Sequence, residues 1–395
     1  MKNTKATIVS LIGCILCSAL TNTALANHRA GDFSLPEIMT AGDFNHDGNL
    51  DLAVNLLGFD NFAILNGDGN GGFTITKHIE EDTLPKQIVS GDVDGDGEMD
   101  IVSVCQWGYD INVYLGDGAG DFQAASQLNG DGEPNRITLA DLNKDGFLDI
   151  LANAPAEGKL LIYFGRGNGR FANQALELEG PYPNLYSLDT GDFNKDGNID
   201  IAITYFFNSG PNGTHLQIFL GDGAGNFTSG QNLIISPQCN NARAYDLNKD
   251  GNLDLILAGA GSENVGGVFF STYLGDGNGN FTVKQVILLG TGRIEGLIAL
   301  GDVNEDGNID VSLPLSSTAT VPIFVGDGTG NFTRGDDVAV GAEAGSTWLA
   351  DFNKDGHVDL ACSNRTDGTL SILLGNGDAT FTTYATIPLN APSSL

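Results

Sequence analysis

Seven stretches of nine residues carry oxygen side chains at positions 1, 3, 5 and 9 and a glycine at position 6. They begin at Asp43, Asp92, Asp141, Asp192, Asp246, Asp302 and Asp351. The glycine lets the backbone turn sharply, so the carbonyl of position 7 can point inward with the side chains, an arrangement suited to Ca²⁺. Naming positions 1, 3, 5, 7 and 9 in order, with position 7 acting through its carbonyl, the expected sets are Asp43, Asn45, Asp47, Asn49, Asp51; Asp92, Asp94, Asp96, Glu98, Asp100; and Asp141, Asn143, Asp145, Phe147, Asp149. The remaining four are Asp192, Asn194, Asp196, Asn198, Asp200; Asp246, Asn248, Asp250, Asn252, Asp254; Asp302, Asn304, Asp306, Asn308, Asp310; and Asp351, Asn353, Asp355, His357, Asp359.

Other metals suit these loops less well. An EF-hand needs flanking helices and a Glu at position 12, Mg²⁺ keeps more of its waters, and softer metals want a Cys/His cluster. The bland alternative is an Asx-rich turn without metal, but turn chemistry alone does not demand four oxygens at fixed offsets. Carboxylates gathered in one loop repel each other, so an ion there offsets that cost and locks the chain on either side. The expectation is up to seven structural Ca²⁺ ions. Loops of this kind in extracellular modules bind with a Kd of about 10⁻⁴ to 10⁻³ M, which calls for calcium-rich surroundings.

The elements that position these loops follow from their spacing. Copies recur about every fifty residues, and between them come four short apolar runs separated by turn residues, as in Ile88–Gly91, Asp100–Val104, Ile111–Leu115 and the run opened by Phe122. Such runs read as four strands in a meander. A turn of alternating glycines, for example Gly116-Asp117-Gly118-Ala119-Gly120, precedes a phenylalanine in every copy: Phe73, Phe122, Phe171, Phe227, Phe281, Phe332 and Phe381. The glycines supply positive φ for a tight hairpin. From the first Asp to the first turn Gly the fourth and fifth copies are longer, with insertions in 205–215 and 259–268, between the second and third strands. Four-stranded units with exposed faces bury them by packing radially, so the fold class is an all-β, seven-bladed β-propeller of four-stranded antiparallel blades, with a linear β-solenoid as the competitor. Blades are expected near 33–79, 84–128, 134–178, 184–235, 240–289, 294–339 and 344–391. Gly31-Asp32-Phe33 resembles the start of a fourth strand, which leaves a strand-swapped closure open.

Residues 1–26 read as an export signal, with Lys2 and Lys5, an apolar run from Ile8 to Leu20 and Ala24-Leu25-Ala26 as a cleavage site. The expected location is secreted, periplasmic or at the cell surface; lipoprotein processing at Cys14 is the lesser alternative, because the apolar run continues past it. Cys105, Cys239 and Cys362 remain in the mature chain, an odd number read as buried free thiols. The net charge of −32 argues against nucleic acid and anionic membranes, and no later stretch is long and apolar enough to cross a bilayer. Three aspartates per copy, and four in the copy at Asp92, concentrate the acid in the loops.

The loop followed by Leu-Gly-Asp-Gly-x-Gly-x-Phe, as in Leu220–Phe227, resembles the FG-GAP or VCBS repeats of the integrin α-subunit propeller and its bacterial relatives, over nearly the whole mature chain. The resemblance implies a calcium-stabilised propeller used for extracellular binding. Integrins carry the metal loop in only some blades, and the leg domains and membrane helix are lacking here, so receptor signalling is not implied. Similar propellers also serve as lectins and as accessory parts of polysaccharide-degrading enzymes.

In such a meander the loops and glycine turns share one end. The opposite end, where the repeats diverge, is the expected ligand face, with Phe59, Trp107, Tyr109, Tyr182, Tyr205, Phe206 and Phe207 as an aromatic platform and Arg136, Arg243, Arg293 and Arg365 as polar groups. The function expected is a monomeric binding or adhesion module for an extracellular protein or glycan. A carbohydrate-active lyase or hydrolase, or its accessory domain, is the alternative. Five mature histidines, no Gly-x-Ser-x-Gly elbow and no acidic pair separable from the loops argue against catalysis.

Overall fold

The structure, a computed structural model, describes residues 36–81, 84–105, 108–177, 184–206, 213–235, 239–260, 267–290, 292–294 and 296–389. Residues 1–26, read above as an export signal, and Gly31-Asp32-Phe33 lie outside them. Twenty-eight strands form seven antiparallel sheets, each of four strands consecutive in the chain: 36–80, 85–129, 137–177, 184–235, 241–290, 299–339 and 344–388.

The second strands show why the sheets pack radially. Asp254–Ala260 is an almost unbroken apolar run because both faces are covered. Leu255 and Leu257 pack towards blade four, while Ile256 and Ala258 pack towards blade six. The two-residue period of a strand thus feeds two cores at once. Seven such cores exist, one at each junction, and the last joins Met39, Leu52 and Val54 of blade one to Ala361, Leu370 and Ile372 of blade seven. A solenoid has no such closing core. The ring also closes through Ser363 Oγ, which donates to the Glu37 carbonyl at 2.9 Å. Among the described residues, blade seven draws its four strands from 344–388.

First strands line the axis, that of blade one (Pro36–Gly42) packing on those of blade two (Pro85–Gly91) and blade seven (Ala344–Ala350). Fourth strands form the rim and alternate exposed with covered residues, as in Phe281–Gly290. Blade six is the least regular, and its second strand stops at Ser312, two residues before Pro314, which has no N–H for the ladder. The fourth and fifth blades take their extra residues between second and third strands, since these are bounded by Phe206 and Thr214 and by Ala260 and Val268. Cys105, Cys239 and Cys362 are free and buried, and burial pushes the Cys239 and Cys362 thiols up to about 12.

Candidate metal loops and the residues around them

Each loop joins the first strand of a blade to its second, and its position 9 opens that second strand. Asp51, Asp100, Asp149, Asp200, Asp254, Asp310 and Asp359 are all fully buried. In the first loop, Asp51 Oδ2 accepts the N–H of Phe44 at 2.9 Å and Oδ1 accepts that of Gly67 at 2.9 Å. The same pair of bonds recurs at every blade, for instance Phe193 and Gly221 on Asp200 and Phe352 and Gly375 on Asp359. Position 9 therefore ties its loop to the end of the third strand. Burial pushes Asp51, Asp100, Asp149 and Asp310 up to about 6, against the lowering pull of those two N–H groups, with the loop's other carboxylates adding to the rise.

Position 1 folds the rest of the loop around itself. Asp192 accepts the N–H of Asp196 at 3.1 Å on Oδ1 and that of Gly197 at 2.9 Å on Oδ2, while Asn194 Oδ1 accepts the N–H of Asp196 at 2.9 Å. Position 5 turns one oxygen to the N–H of position 7, as Asp196 does to Asn198 at 2.8 Å. That bond comes first among the causes holding exposed Asp196 below the usual carboxylate range. The positive φ of 83° at Gly197 shows why position 6 is glycine.

These loops fit a cation on two observations. In the second loop, carboxylate oxygens of Asp92, Asp94 and Asp100 come within 4.8 Å of one another. In the sixth, Asp302 Oδ1 is buried with no hydrogen-bond partner, an acceptor left over by the loop's own network. The remaining loops put Asn at position 3 and satisfy position 1 with backbone N–H groups, yet each carboxylate oxygen keeps lone-pair capacity. Positions 1, 3, 5 and 9 by side chain and position 7 by carbonyl are the residues that would hold Ca²⁺, whose charge would offset the mutual repulsion of the carboxylates.

The glycine turns lie at this same end. A Cβ at the middle glycine would strike position 7 of the same blade's loop, as Gly69 would strike Asn49 and Gly118 would strike Glu98. Position 2 packs on the next blade: the rings of Phe44 and Phe122 meet edge-on at 5.5 Å, and those of Phe193 and Phe281 at 5.4 Å.

One relation was missed in the sequence reading. Position 4, at positive φ in every loop, reaches forward to the next blade's loop. Lys354 Nζ donates to Asn49 Oδ1 at 2.7 Å across the closure, and His46 Nδ1 lies 2.8 Å from Glu98 Oε2. Lys144, Lys195 and Lys249 set their ammonium groups beside Gly197, Gly251 and Gly307 and help hold Asp196, Asp250 and Asp306 down. Glu305 pairs with His357, and Gly95 lies under the ring of Phe147. The signal was there to read, because where position 4 departs from lysine, position 7 of the following copy changes with it.

Among the described residues, the proposed far-face positions do not gather into one platform. Trp107, Tyr182 and Phe207 lie outside the described residues. Phe59 packs against the core between blades one and seven. Tyr205 is buried, stacked on His215 at 5.1 Å with its hydroxyl accepting from Asn232 Nδ2 at 2.7 Å. These two positions correct the expectation of exposed aromatics: each caps a core that a strand end would otherwise leave open. Phe206 is partly covered, Tyr109 is exposed and donates to Glu133 at 3.0 Å, Arg293 is exposed and Arg365 partly so. Arg136 and Arg243 line the central channel instead, because their strands run along the axis. One ring of the channel lining is the residue three before each loop: Thr40, Val89, Thr138, Asp189, Arg243, Ala299 and Trp348.

The FG-GAP-like repeat model matches residues 43–103, 92–152, 141–203 and 246–313, each match starting at the first Asp of a loop. The chain belongs to the FG-GAP-like repeat family. No curated protein matches it. Among solved structures it is similar to BBS1N in complex with ARL6DN, with a TM-score of 0.60 and 11% identity over 87% of this chain and 92% of that one. A protein from Lactobacillus plantarum matches with a TM-score of 0.58 and 14% identity over 81% and 89%. At these identities the likeness is one of fold.

Proposed function

We propose that this FG-GAP β-propeller is an exported, monomeric binding module, held by up to seven structural Ca²⁺ ions and engaging an extracellular protein or glycan through the end remote from the loops. The observation that carries the calcium part is the leftover buried Asp302 Oδ1, together with the convergence of Asp92, Asp94 and Asp100. BBS1N, whose fold is similar, is in complex with ARL6DN, which supports a protein as one class of partner. The binding end is argued from divergence: the loop end repeats the same bonds in every blade and is committed to scaffold, whereas the second-to-third connections differ in length. The loops' acid is engaged by backbone N–H groups and, in this reading, by calcium, which leaves it unsuited to general acid–base work.

Native mass spectrometry of the mature chain, titrated with Ca²⁺ and then with EDTA, tests the metal. Up to seven reversible additions of one ion each are expected, and none would sink it. A glycan array beside a pull-down from cell-surface extracts, both in calcium, tests the ligand class. Cleavage products on the array would favour the carbohydrate-active alternative.

A further inference from the structure

The central channel departs from the repeat in a single arc. Five of the seven residues in the ring three before each loop are small, hydroxylated or apolar, so the scaffold needs no charge there, yet blades four and five contribute Asp189 and Arg243. Two residues further from the loops, blade three adds Arg136 to the same cavity of about 250 Å³, which continues into one of about 370 Å³. Both arginines face space that Trp348 also lines.

Neither guanidinium is used up. Arg136 donates from one terminal nitrogen to the Asn135 carbonyl at 3.1 Å, and Arg243 from one to the Ala242 carbonyl at 3.3 Å. These are the only hydrogen-bond acceptors they find among the described residues, against five N–H donors apiece. Arg136 Nε is buried and unpaired. Asp189 attracts Arg243 by charge but makes no hydrogen bond to either arginine; its oxygens accept the N–H groups of Thr190 at 2.9 Å and Ala244 at 2.8 Å. Glu37 is the other acid near Arg136, and its Oε2 is likewise unpaired. Burial and the neighbouring Arg243 charge push Arg136 down against the raising pull of Glu37, and a guanidinium starts so far above neutrality that it stays charged there.

We propose that the central channel is a binding site for a small carboxylate, held by Arg136 and Arg243 with its body against the Trp348 indole. Guanidinium forks match a carboxylate with two parallel hydrogen bonds, and an indole offers a flat face to a sugar ring or an aromatic ring alike. The cavity has room for one such ring. The site is independent of the macromolecular ligand proposed above and asks only that the propeller be folded.

The test uses the full mature chain in calcium, with galacturonate, phenylacetate and, as neutral control, galactose. Melting temperature and the NMR signals of the arginine Nε–H groups are followed in each titration. A saturable rise in melting temperature and a shift of the Arg136 Nε–H signal with a carboxylate are expected; galacturonate alone would mark an acidic sugar as the source, and phenylacetate alone an aromatic acid. Arg136→Gln and Arg243→Gln should each weaken binding tenfold or more, and the NMR shift in the unmodified protein decides the matter should a variant fail to fold. No response to either acid, an equal response to galactose, or binding that survives both substitutions overturns the proposal.

Discussion

At the loop end of the ring, the position 9 aspartate of all seven blades accepts the same two backbone N–H groups. Along the channel, the seven inner strands agree on little beyond their buried side. Positions four before each loop, such as Met39, Ile88, Ile137 and Ile298, are buried in the junctions, whereas the neighbouring ring into the channel runs from Thr40 to Arg243 to Trp348. The difference teaches where selection on the scaffold stops. A position that ties a loop to a strand admits only aspartate, while a position facing open space admits whatever a ligand asks for.

Several measurements would break that contrast or sharpen it. If the loops hold calcium as proposed, removing it acts on all seven at once and is expected to lower the melting temperature by about 10 °C or more, since metal-binding free energy enters folding free energy directly. An unchanged melt in EDTA would leave the loops as plain turns. Next in size comes a position 9 residue. Asp200→Ala strips the acceptors from the Phe193 and Gly221 N–H groups and should cost about 3 kcal/mol by denaturant unfolding, even without metal. Asp196→Ala, at an exposed position of the same loop, should cost about 1 kcal/mol in the same metal-free assay. Equal costs would refute the division of labour.

Away from the loops, Glu81 offers a pH test. It is buried between blades one and two, where Ser103 Oγ, Cys105 Sγ at 3.3 Å and Asn112 Nδ2 at 2.6 Å donate to its carboxyl. Burial nevertheless raises it above the ordinary glutamate range. The native state then holds the proton more tightly than the unfolded chain, so Glu81's contribution is full below the ordinary value and is lost as pH rises through the raised one. Stability should fall across that window in the unmodified chain and less so in Glu81→Gln; parallel curves would contradict the assignment. The smallest effect belongs to a junction pair. Glu305→Lys, facing His357, should lower the denaturant midpoint only slightly, and adding His357→Asn should recover most of the loss by recreating the Lys-to-Asn junction.

Much of this was legible in the sequence because the repeat is strict. Blade number followed from the loops, and strand limits from turns such as Gly116–Gly120 and the phenylalanines after them. The sharing of one end by loops and turns was also readable, since a meander forces it. What failed was side-chain fate at strand ends. Tyr205 looks like a loop aromatic but is the last inward residue of its strand, and its partner His215 is ten residues away across an insertion. Arg136 and Arg243 looked like surface cations because the channel is made by seven separate segments, and no local pattern announces it. Position 4 was passed over for the opposite reason: it is not a ligand, and its partner lies a whole repeat away.

The pairs running from position 4 to position 7 also bear on how such a chain assembles. Seven near-equivalent units could dock in the wrong sequence, by skipping a neighbour or by trading with a second molecule. Where lysine meets asparagine, one junction is as good as another. The remaining three are not interchangeable: Glu305 set before blade two would face Glu98, and His46 set before blade seven would face His357. Gly95 leaves space that the ring of Phe147 covers and that a lysine would fill. The loop end thus carries an address for each of these three joints, and the order of the ring is written in side chains that have no place in the proposed metal sets.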